Sequence, residues 1–92
     1  MSKRIAIVTR ERQAEALRMA SGLLLLGDEA EVFVAETLLQ DDEATVAQLK
    51  ICEEFDVPVY SNHDQAPEGV KLSPQDFSQR LTTFDRILPI LP

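Results

Sequence analysis

Residues 3–27, KRIAIVTRERQAEALRMASGLLLLG, place a short strand directly ahead of a long helix. Ile5, Ala6, Ile7 and Val8 form an unbroken apolar run bounded by Lys3-Arg4 and Thr9-Arg10. A run that short, apolar on both faces, fits a central parallel strand covered by helices on two sides. The helical pattern that follows stops at Gly27, a residue suited to a left-handed C-terminal cap. A strand feeding a helix is the first half of a βαβ unit.

The rest of the chain repeats the alternation. Val32-Phe33-Val34-Ala35 reads as a second strand, and Asp41-Asp42-Glu43 as a helix start, because carboxylates there accept hydrogen bonds from free amides and suit the positive end of the dipole. That helix runs to about Phe55, with Ala44, Ala47, Ile51 and Phe55 as its inward stripe and Val46 and Leu49 projecting elsewhere. Val57-Pro58-Val59-Tyr60 is a third strand, with Pro58 tolerated near its start, and Gly69-Val70-Lys71-Leu72 a short extended piece. Ser73 as cap, Pro74 in the first turn and Asp76 as a capping-box acid begin a third helix, anchored by Phe77, Leu81 and Phe84. Arg86-Ile87-Leu88 is the last strand, with Pro89 at its end or on a sheet edge. The uncharged tail Leu88-Pro89-Ile90-Leu91-Pro92 is expected to dock on the domain or on a neighbouring subunit. Together these elements predict one α/β domain over residues 1–92: a three-layer, four-stranded, mostly parallel sheet with helices on both faces, in the flavodoxin-like order 2-1-3-4.

Composition narrows the partners. A net charge of −7 disfavours nucleic acid and anionic membrane. No apolar run is long enough to span a bilayer, and the four apolar residues after Lys3-Arg4 are too few for a signal peptide, so a cytoplasmic location is expected. One cysteine excludes an internal disulfide, a C-x-x-C motif and a multi-cysteine zinc site; no metal site and no cofactor is implied.

The first helix carries more apolar surface than one core requires. Ala16, Leu17, Met19, Ala20, Leu23 and Leu24 share a broad face, while Ala14 and Leu25 lie on the far side. Such a helix is either squeezed between the sheet and a second helix or covered by another subunit.

In a sheet of this kind ligands bind at the carboxyl ends of the strands. The predicted order brings Thr9, Arg10, Glu11 and Arg12 there beside Glu36, Thr37, Ser61, Asn62, His63 and Asp64. Thr9, Arg10, Arg12, Ser61, Asn62 and His63 are the ligand-binding candidates, with Arg10, Arg12 and His63 able to attract a small anion. His63 with Asp64 or Glu11 has the make-up of an acid–base pair, against the commoner case of a solvated loop histidine. Glycine-rich phosphate loops are absent, and Thr9 and Ser61 stand where a phospho-receiver needs acids. Cys52 is followed by Glu53 and Glu54 near a helix C-terminus, surroundings that raise a thiol pKa and favour a structural over a reactive role.

Three stretches resemble the DsrE/DsrF-like family: ALRMASGLLLLGDEAEVFVAE its first helix and second strand, FDVPVYSN its third core strand, and GVKLSPQDF with FDRILPI its C-terminal helix and strand. The resemblance spans nearly the whole chain and implies a compact three-layer domain that assembles as a dimer, trimer or hexamer, with other sulfur-relay proteins as further partners. Active members carry persulfide sulfur on a cysteine at the end of the third strand or in its following loop. Here Tyr60-Ser61-Asn62-His63 occupies that segment without a cysteine, and Cys52 lies on the preceding helix. The resemblance therefore implies a non-catalytic, oligomeric binding subunit linked to sulfur metabolism; the alternative is a sulfurtransferase or persulfide carrier using Cys52.

Overall fold

The computed structural model describes residues 3–90. In chain order the elements are β1 (Arg4–Thr9), α1 (Gln13–Leu25), β2 (Glu29–Val34), α2 (Glu43–Glu54), β3 (Val59–Ser61), α3 (Pro74–Leu81) and β4 (Arg86–Ile90). The four strands are parallel, and helices cover both faces. Ile5, Ile7, Val32 and Val34 point to the side of α1 and α2, where they pack with Ala16, Leu17, Ala20 and Cys52. Ala6 and Phe33 point to the other side, beneath Phe77 of α3. Phe33 is the centre of that layer: its ring meets Tyr60 at 5.4 Å, Phe77 at 5.2 Å and Phe84 at 5.6 Å, the last two edge-on.

The strand order is β3-β2-β1-β4, which corrects the expected 2-1-3-4. Right-handed crossovers moving one way across a sheet put their helices on one face, and a return move puts its helix on the other. α1 and α2 share a face, so β1, β2 and β3 step in one direction, and α3 on the opposite face carries β4 back to the free side of β1. Side-chain chemistry agrees. β2 buries Val32, Val34 and Phe33 completely and needs a neighbour on each side, whereas three-residue β3, entered from Pro58, suits an edge.

The two edges are protected only in part, by different devices. Lys3 and Thr9 turn their carbonyls to β2, accepting from Glu29 N and Ala35 N, so even-numbered residues of β1 face β4. In a parallel pair only one of two opposed residues uses its backbone groups across the ladder, and in Val8–Pro89 that residue is Val8. Pro89 thus lies inside β4, its missing N–H on the outer side where no partner needs it. At the other edge Ser61 N donates to Val70 O and Leu72 N to Ser61 O, a single bridge at Lys71 that covers the end of β3; residues 69–70, expected to be extended, form a turn ahead of it.

α2 is rotated relative to expectation. Its buried residues are Thr45 and Cys52, with Leu49 packed against the core; Ala44, Ala47, Ile51 and Phe55 are exposed. The cap fixes this phase. Asp42 accepts hydrogen bonds from both Thr45 N and Thr45 Oγ1, which turns Thr45 inward and its i+7 neighbour Cys52 with it. On α1, Met19 is likewise partly exposed rather than part of the buried face. α3 begins as expected, with Asp76 N donating to Ser73 Oγ at 3.1 Å. Of the tail, Leu88, Pro89 and Ile90 belong to β4, while Leu91 and Pro92 lie outside the described residues.

Candidate functional site

The carboxyl ends of the strands gather most of the predicted polar residues, and their side chains largely hold one another. The loop after β2 is the hub. Glu36 adopts a left-handed backbone, φ 62°, which turns its N–H onto Asn62 Oδ1 at 2.6 Å and its carboxylate onto Arg10 at 2.8 Å. Thr37 Oγ1 donates to the Arg10 carbonyl, and Ser61 Oγ donates to the Thr37 carbonyl at 2.7 Å. Ser61 Oγ in turn accepts from His63 N, and His63 Nδ1 accepts from Gln65 N at 3.0 Å. Arg10, Ser61 and Asn62 therefore meet around residues 36–37, even though β3 lies two strands from β1.

His63 does not join an acid–base pair, since no hydrogen bond or ion pair among the described residues links it to Asp64 or Glu11. Arg12, the residue that precedes α1, is paired with Glu15 in the first turn of that helix. No group of three or more His, Cys, Asp or Glu among the described residues is arranged to hold a metal ion.

Thr9 behaves differently. It is 1% exposed, and its Oγ1 finds no hydrogen-bond partner among the described residues. It stands at the end of β1, where the strand order reverses between β1 and β4 rather than between β1 and β3.

Gln13, which sequence reasoning passed over, organises this edge. It is almost fully buried in the first turn of α1. Its Nε2 donates to the carbonyls of Arg10 and Leu38 and to Thr37 Oγ1, and its Oε1 accepts from Gln40 N at 2.8 Å. One amide thereby ties the β1–α1 turn to the β2–α2 loop. The only signal in the sequence was an uncharged amide beginning an otherwise amphipathic helix.

Cys52 lies between α2 and α1, 1% exposed, with Sγ donating to the Leu17 carbonyl at 3.5 Å. Burial pushes its thiol pKa up to about 11. Thiolate chemistry, including persulfide formation, needs the opposite surroundings.

Among the described residues no helix is long and apolar enough to cross a membrane. Comparison with protein-family models, with curated proteins and with solved structures finds no match for this chain.

Proposed function

We propose that this chain is a non-catalytic interaction module, DsrE-like in kind and tied to sulfur handling, that works as an assembly of its own copies. The observation that carries the reading is apolar surface left in solvent on the helix layer. Met19 of α1 and Leu26, the residue that ends the helix, seven positions apart, are 36% and 78% exposed. The charges along the same helix are of mixed sign, Arg12, Glu15 and Arg18, which suits contact with an identical surface. Pro89 on the outer side of β4 and the Lys71 bridge at the end of β3 disfavour strand addition at the sheet edges, which favours helix faces for association. The resemblance of the helix, strand and C-terminal stretches supports the link to sulfur relay, and the buried thiol supports a role without covalent chemistry.

Native mass spectrometry at micromolar concentration is the test. The expected result is a discrete multiple of the 10.3-kDa chain that Met19→Glu with Leu26→Lys converts to monomer without loss of fold. A monomer at all concentrations would defeat self-association. Uptake of one sulfur atom by folded protein from a persulfide donor, abolished in Cys52→Ser, would defeat the non-catalytic reading.

A further inference from the structure

A second apolar patch lies where α1 and α2 end, and its electrical surroundings differ from those of the outer face of α1. Both helices follow strands of one parallel sheet and lie on the same face, so they run in the same direction and finish side by side. Leu25 is 77% exposed, Phe55 44% and Ile51, one turn earlier, 36%. These side chains turn toward the seam between the helices. Ala14 and Arg18, on the flank of α1 that carries Leu25, line a cavity with Asp42 and Thr45 of α2. Leu49 and Glu53, on the other flank of α2, line a separate cavity with Val59 and Val70, which leaves Ile51 and Phe55 on the α1 side.

The rim of this patch is acidic. Glu54 and Asp56 flank Phe55, and Asp28 follows α1. None of the three forms an ion pair among the described residues. Asp28 and Asp56 open onto one cavity of about 360 Å³, shared with Glu29, Glu31 and Arg4, where Arg4 pairs with the two glutamates and leaves the two aspartates as its unpaired charges. Neither helix has a basic residue in its last turn, so the negative ends of two dipoles add to the same field.

This field selects the occupant. A second copy meeting this pole with its own would bring acid against acid, and anionic lipid or nucleic acid would be repelled for the same reason. We propose that this pole docks a cationic amphipathic segment of a partner protein: an apolar side chain seats between Leu25 and Phe55, and flanking Lys or Arg side chains reach Glu54, Asp28 and Asp56. The inference rests on the interaction-module reading and adds the chemistry of a second partner, distinct from self-association.

The probe is a synthetic amphipathic helix of leucine and lysine, about four turns long, with a leucine–glutamate peptide of the same pattern as control. Each is titrated into the full ¹⁵N-labelled chain. The leucine–lysine peptide is expected to shift amide resonances of residues 24–28 and 51–57 and to bind at least about tenfold more tightly than the control. Glu54→Gln with Asp56→Asn is expected to weaken binding roughly tenfold. Asp41→Asn with Glu43→Gln, which removes the same charge from the opposite end of α2, should leave it within about twofold. Equal losses in the two double variants would reduce the effect to bulk attraction by an acidic protein and overturn the proposal. So would equal affinity for both peptides, or shifts centred elsewhere. Native mass of the unliganded samples separates the two readings: a monomer with localised peptide binding ends self-association and leaves docking, whereas an oligomer without localised shifts does the reverse.

Discussion

Three side chains carry separable physical roles that mutation resolves. The neutral, enclosed thiol of Cys52 is expected to alkylate at pH 7–8 at least about a hundredfold more slowly in native than in unfolded protein. Its folded pKa lies above the ordinary value, so the stability it confers is present below pH about 9 and is lost as pH rises toward about 11. Wild type should therefore lose stability against Cys52→Ser across that alkaline window, read as the difference in thermal midpoint. Asp42 has the opposite sign. The bonds from Thr45 hold its carboxyl below the usual aspartate range, so its contribution is complete at neutral pH and disappears as the solution is acidified through that lowered value. Asp42→Asn keeps an acceptor but no charge, and its deficit should shrink on acidification in denaturant titrations. Gln13→Ala leaves the amide of Gln40 and the carbonyl of Leu38 without their partner, while the Arg10 carbonyl keeps Thr37 Oγ1, and a loss of about 2–3 kcal/mol is expected by urea unfolding. A loss under about 0.5 kcal/mol would mean that solvent readily replaces the amide. These positions also mark where the sequence was readable. A raised thiol pKa at Cys52 was legible from Glu53 and Glu54 beside it, although burial is its cause in the fold. The role of Gln13 was not legible, because its four partners are brought together only by the fold.

Among the elements, every strand and helix was legible from apolar runs, caps and prolines, and the boundaries moved by only a few residues. The cap of α3 illustrates why: Ser73 followed by Pro74 is a local code, complete in adjacent residues. Ser73→Ala should cost about 1 kcal/mol, measured by thermal or urea unfolding, with Ser73→Asp close to neutral. α2 shows the limit of periodicity. Its exposed side holds Ala44, Ala47, Ile51 and Phe55, and its buried side holds Thr45, Leu49 and Cys52. Hydrophobicity alone set the wrong phase, because a capped threonine and a hydrogen-bonded cysteine are as well satisfied inside as isoleucine and phenylalanine are displaced outside. The mismatch between apolar character and burial is itself what singles out that surface. At the strand ends the predicted residues do lie close together, yet Arg10 is engaged by Glu36 and Ser61 by Thr37, pairings that depend on the left-handed turn at Glu36.

At the level of the whole molecule, strand order was not legible: Pro89 argued for a strand end or an edge but Pro58 only for a strand start, and β3-β2-β1-β4 puts β3 and β4 on the two edges. The order reverses at β1, which places the first strand in the middle of the sheet and the last strand directly against it. Arg4 N donates to Asp85 Oδ2 across 81 positions of sequence, and the ladder continues to Thr9–Ile90. Because β1 and β4 are adjacent and parallel, tension applied at residues 4 and 90 draws the two strands lengthwise past each other. The ladder bonds are then loaded in shear, all at once, instead of being peeled one after another. Single-molecule pulling from these positions should give one high-force rupture, whereas attachment at residues 4 and 61, which leaves the β1–β4 ladder unloaded, should give a lower one. The domain is in effect a mechanical clamp along the axis of its own chain.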